Sequence, residues 1–126
     1  MKTLGTLIAA AALLVGGHAL AAGNADDHKP LFGGLVVEGK QADFELVAKP
    51  EVIQLYLRDH GKAISPAKAS AKVTLLSGSD KQEVTLVPAG DKLEAKGSFK
   101  VAAGTKVVAV VTNDGKSLGT VRFTLK

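Results

Sequence analysis

Four side chains of this 126-residue chain are best suited to hold an ion. Asp26, Asp27 and His28 are adjacent in "NADDHKPLFGG" (residues 24–34), and His60 stands in "DHGK" (residues 59–62). Imidazole nitrogen suits copper, nickel and zinc, and carboxylates can complete such sites. If processing occurs after Ala25, the chain begins Asp26-Asp27-His28. A free amine, two backbone amides and the imidazole at position three then form a square-planar nitrogen set, a geometry fitting Cu(II) or Ni(II). His28 is therefore the first candidate metal ligand, with Asp26 and Asp27 beside it and His60 separate from them. No metal is required by the sequence; a copper or zinc ion is the ligand these donors would take. Imidazole must be neutral to coordinate, so the affinity is expected to fall as pH drops through about 6.5. Each stretch also has a plainer reading. Residues 24–34 could be a polar leader that clears a signal-peptidase site. Residues 59–62 could be a turn, since His and Asp tolerate turn conformations and Gly supplies positive φ.

Other chemistries find little support. The chain has no Cys, so it has no disulfide, thiolate site or cysteine nucleophile. No Ser lies in a Gly-x-Ser-x-Gly turn, and no glycine-rich phosphate loop precedes a helix. The paired carboxylates Asp26-Asp27 sit in a segment with little preorganisation for acid–base work. The chain is expected to be non-catalytic. Sixteen basic and twelve acidic side chains are interspersed, giving a formal charge of +4. Four Phe, one Tyr and no Trp make no stacking platform among the lysines, so nucleic acid is not an expected partner.

The elements that position these residues follow from hydropathy. Met1-Lys2-Thr3, the uncharged apolar run from Leu4 to Val15 and the Ala19-Leu20-Ala21 exit read as a secretory signal peptide. The run is shorter than the roughly 20 residues that a membrane span needs, so no membrane insertion is expected after processing. The expected division is a signal peptide over 1–21, a flexible leader over 22–33 and a β domain over 34–126. The expected compartment is the periplasm, with the protein soluble there.

Beyond residue 34 the dominant period is two. Leu93, Ala95, Gly97, Phe99 and Val101 alternate with Lys92, Glu94, Lys96, Ser98 and Lys100. Ile53, Leu55 and Leu57 alternate with Gln54, Tyr56 and Arg58, and Phe44, Leu46 and Ala48 with Asp43, Glu45 and Val47. Val73 and Leu75, Val84 and Leu86, and Val121, Phe123 and Leu125 follow the same rule. "KVVAVVT" (106–112) is apolar on both faces, as in a central strand. Turn residues separate these runs, and the Asp-Gly at 114–115 predicts a type I′ hairpin. The pattern predicts an all-β fold, an immunoglobulin-like antiparallel β-sandwich of seven or eight strands, with a small closed barrel as the alternative. Val47, Tyr56, Leu76 and Val87 fall on outer faces, an apolar excess that could mark a partner patch. With strands alternating up and down, His60 falls at the end opposite the leader's attachment. A site shared by His28 and His60 would need the six residues from His28 to Gly34 nearly fully extended, about 20 Å.

The strand "DFELVAK" (43–49), the strand-turn "LYLRDHGK" (55–62) and the block "LEAKGSFKVAAGTK" (93–106) resemble a family of small exported β-sandwich proteins. Similar segments occur as N-terminal domains of the periplasmic adaptor subunits of heavy-metal efflux pumps. The resemblance covers nearly the whole chain after the export segment. It implies a β-sandwich in the periplasm, in a context of metal efflux or heavy-metal resistance, with an efflux adaptor as partner. Relatives often carry His-Gly-Gly at the start of the domain, preceded by another His. His28 matches the earlier position, whereas Phe32 stands before Gly33-Gly34 in place of the second. His60 matches the "DHGK" turn.

Overall fold

A computed structural model describes residues 29–126. Asp26, Asp27, His28 and the expected export segment lie outside the described residues. Within them the fold is all-β and antiparallel, without a helix. No helix among them is long and apolar enough to cross a membrane.

Nine strands form in chain order: β1 (Leu35–Glu38), β2 (Asp43–Lys49), β3 (Val52–Asp59), β4 (Lys62–Ala63), β5 (Ala69–Ser77), β6 (Asp80–Ala89), β7 (Lys92–Lys96), β8 (Lys106–Asn113) and β9 (Lys116–Thr124). Their spatial order is β1-β2-β3-β7-β6-β5-β8-β9, with the two-residue β4 hanging from β3. The strand β6 joins the two halves. Residues Asp80 to Leu86 pair with β5, and Val87 to Ala89 pair with β7. The sheet thereby wraps almost into a barrel. One junction stays unlaced: β1 and β9 approach within 8 Å between Cα atoms, yet no ladder joins them.

The core follows from the alternation. Phe44, Leu46, Ile53, Leu55, Leu57, Val73, Leu75, Leu86, Leu93, Val107, Ala109, Val111, Val121 and Phe123 turn inward from both halves and form one cluster. Each fully buried Val, Leu, Ile or Phe among them stabilises the fold by about 1.5–3 kcal/mol relative to exposure. Turn chemistry sets the register. His60 (φ 52°) and Gly61 (φ 86°) sit between the paired Asp59 and Lys62, and Asp114 (φ 55°) and Gly115 (φ 80°) between Asn113 and Lys116. Positive φ at both central residues is what a type I′ hairpin requires.

Three local expectations differ from the structure. The segment Lys92–Val101 is a strand only to Lys96. Beyond it the Gly97 and Phe99 N–H groups bond the carbonyls of Glu51 and Pro50, so Phe99 packs on the core from a loop. The strand β8 is central in hydrogen bonding but covered on one face only, and Val110 remains 43% exposed. The outer face of β2 and β3 is not open to water: Asp43, Glu45, Val47, Tyr56 and Arg58 are all buried there.

Candidate functional site

What covers that outer face is the segment just before β1. The Glu45 carboxylate, fully buried on β2, gathers four donors. Its Oε1 accepts the Leu31 N–H at 2.8 Å and Arg58 Nη2 at 3.2 Å. Its Oε2 accepts the Phe32 N–H at 2.8 Å and the Gly34 N–H at 2.9 Å. Backbone N–H groups converging on a carboxylate form the concave donor set that favours an anion, and charge-assisted bonds are about twice as strong as neutral ones. Arg58, on β3, pairs with Glu45 from below and is itself buried, which compensates the buried charge. Its Nε has no partner among the described residues.

The "FGG" sequence is explained by this strap. Phe32 stacks flat on Tyr56, ring centroids 3.8 Å apart and planes within 9°. Gly33 takes φ +77°, a left-handed conformation that a side chain strains. A Cβ on Gly34 would lie 2.2 Å from the Leu46 carbonyl oxygen, so only glycine allows the chain to lie against β2 while donating to Glu45. Phe32 and Leu31 remain 45% and 62% exposed on top of the strap. Burial on this face raises the Tyr56 phenol's pKa, with the Lys92 ammonium opposing the shift from 5.9 Å over the ring.

The strap and β1 form one wall of the unlaced junction. Pro30, Gly34, Leu35, Val36 and Val37 face Arg122, Phe123, Thr124 and Lys126 across a groove of about 430 Å³. A second groove of about 520 Å³ lies further along, between Val37 to Gln41 and Leu118 to Arg122. The strand β9 is irregular at one end of this edge. Val111 pairs with Gly119 and Thr112 with Ser117, so Leu118 is an extra residue that bulges the strand.

Of the candidate ligands from sequence, only His60 falls within the described residues. It stands at the tip of the β3–β4 turn with its side chain 91% exposed, and its Nδ1 is 2.6 Å from Asp59 Oδ1. A small groove beside it is lined by Glu38, Asp43 and Asp59. No group of three or more His, Cys, Asp or Glu able to hold an ion exists among the described residues. The strap begins β1 at the level of Leu46, whereas His60 lies beyond the Asp43–Arg58 pair, at the other end of that strand. Sequence reasoning missed Glu45 and Arg58, because alternation assigns both to water. The available signal was two glycines before a strand, together with opposite charges at in-register outer positions.

No family model and no curated protein matches this chain. A solved crystal structure, the bromine derivative of BhCBM56, is similar over 73% of this chain and 99% of its own, with 7% identity and a TM-score of 0.44. That degree of likeness carries no inference about ligand or activity.

Proposed function

We propose that this protein is a non-catalytic interaction module, an exported β domain that works by binding another polypeptide. The observation that carries the reading is the unlaced junction, where two strand edges face each other across grooves without a ladder. Unpaired strand edges are templates for another chain, and natural proteins usually close or blunt them. The two halves joined by β6 are read as the layers of an immunoglobulin-like sandwich. The chain is placed in the periplasm on the strength of its N-terminal sequence. A photo-cross-linking residue at Thr120, on the β9 edge, is expected to give one discrete protein adduct in producing cells. The same residue at Lys81, exposed on β6, is expected to give none. Adducts at both positions, or at neither, would refute the reading.

A second reading, accessory binding of a divalent ion in metal efflux, draws on Asp26, Asp27, His28 and the sequence resemblance. One structural observation favours it: the Asp59 carboxylate orients the His60 ring through Nδ1, the arrangement that leaves Nε2 outward for a metal. In this reading an efflux adaptor is the partner, and copper or zinc the ion. Calorimetric titration of Cu(II) and Zn(II) into the exported protein, compared with His28→Ala and His60→Ala, tests it. Equal heats from all three would remove both histidines.

A further inference from the structure

We infer that the junction between β1 and β9 accepts a guest strand of alternating acidic and apolar residues, supplied by a partner protein. This deepens the interaction reading above and rests on it.

Charge and geometry define the guest. Lys40, Arg122 and Lys126 line the two grooves, and among the described residues none of the three is in an ion pair or side-chain hydrogen bond. Glu38 is the one acid on the grooves' lining. Along β9, Val121 and Phe123 turn into the core while Thr120, Arg122 and Thr124 face water. Side chains on an added strand alternate in the same way. Guest residues level with Val121 and Phe123 must therefore be apolar, and those level with Arg122 are best acidic, as opposite charges stabilise cross-strand neighbours. The bulge at Leu118 limits regular pairing to Thr120–Thr124, a span that suits a guest segment of about five residues.

A second copy of this chain is a poor guest. Antiparallel pairing of two β9 edges across Thr120–Thr124, centred on Arg122, would set Arg122 opposite Arg122 of the other copy, and like charges directly opposite one another repel. The receiving edge is β9, and the wall that yields is β1. A strand bonded on both sides needs its neighbours about 9.6 Å apart, two ladder spacings. The edges now come within 8 Å, so β1 must move outward by about 2 Å or more. It has four residues and, among the described residues, a ladder to β2 alone, which makes it the softer of the two walls.

Synthetic peptides test the inference on the full exported protein, isotope-labelled for NMR. A Glu-Val repeat should shift amides of Leu35–Glu38 and Thr120–Thr124. It should bind roughly tenfold more weakly to Arg122→Glu, as one favourable surface pair becomes repulsive. A Lys-Val repeat, and a Glu-Val repeat N-methylated at alternate residues, should not bind. Equal binding of the Lys-Val repeat would overturn the acidic assignment and leave the interaction reading standing. Silence from every peptide, with the Thr120 adduct still formed in cells, would overturn the guest strand alone. Silence together with loss of that adduct would bring down both. Seam shifts that grow with protein concentration without peptide would identify a second copy as the occupant and overturn the proposal.

Discussion

Glu45→Gln is the change whose cost can be worked most directly from the geometry. The carboxylate holds four donors, two on each oxygen, at 2.8–3.2 Å, and is fully buried. Glutamine keeps the shape but turns one oxygen into an amide NH₂, a donor pointed at two donors. Those two lose their acceptor, and each unsatisfied buried donor costs about 1–3 kcal/mol. The other two keep an acceptor but lose the charge, about half of a 1.5–3 kcal/mol charge-assisted bond. Because the strap is part-buried, the lower ends apply, and the sum is about 3.5 kcal/mol. Against a total stability of about 5–15 kcal/mol for a domain, that is a large fraction. Urea unfolding followed by tyrosine fluorescence measures it cleanly. Tyr56 is the single Tyr and there is no Trp, so the signal comes from beneath the strap itself. Arg58→Met combined with Glu45→Gln should cost less than the sum of the single changes, since the pair is buried and coupled. A Glu45→Gln protein within about 0.5 kcal/mol of the parent, the range of ordinary surface substitutions, would show that the strap does not hold the outer face.

Gly34→Ala should destabilise by about 1–3 kcal/mol or more through overlap with the Leu46 carbonyl, and Gly33→Ala by about 1 kcal/mol through strain alone; thermal melts of the two rank them, and the reverse order would count against the close approach. The Tyr56 phenol, its pKa raised by burial, should titrate above its ordinary value in the folded protein and return toward it in Phe32→Ala, read as tyrosinate absorbance. Because the folded pKa exceeds the unfolded one, this group's contribution is intact below about pH 10 and is lost as pH rises above it, so urea midpoints should fall in that alkaline window. His60→Val should cost about 1–2 kcal/mol, because a β-branched residue resists φ 52°, while His60→Asn should be close to neutral in the same melts.

The inward face of the sheet was legible because burial enforces its period. Ile53, Leu55, Leu57, Val73, Leu75, Leu86, Leu93, Val121 and Phe123 all lie where alternation assigns them. Local turn rules were equally readable, since His60-Gly61 and Asp114-Gly115 need positive φ whatever surrounds them. Long-range cover was not legible. Glu45 and Arg58 have the composition of a wet face, and only a segment crossing from eleven to fourteen residues earlier removes them from water. Tyr56 and Val47 were assigned outward correctly, yet the same strap region leaves them about 9% exposed, whereas Leu76 and Val87 stay open at 39% and 54%. Periodicity also overran at Gly97–Val101, where apolar residues face the core without any ladder to hold them as a strand.

The pairing of β3 with β7 has a temporal consequence. Gln54 bonds Glu94 across a separation of 40 residues, and the ladder runs from Val52–Lys96 to Leu55–Leu93. During synthesis the third strand therefore has no lateral template on that side until Lys96 has left the ribosome. All-β domains that include such distant pairings fold in about milliseconds to seconds.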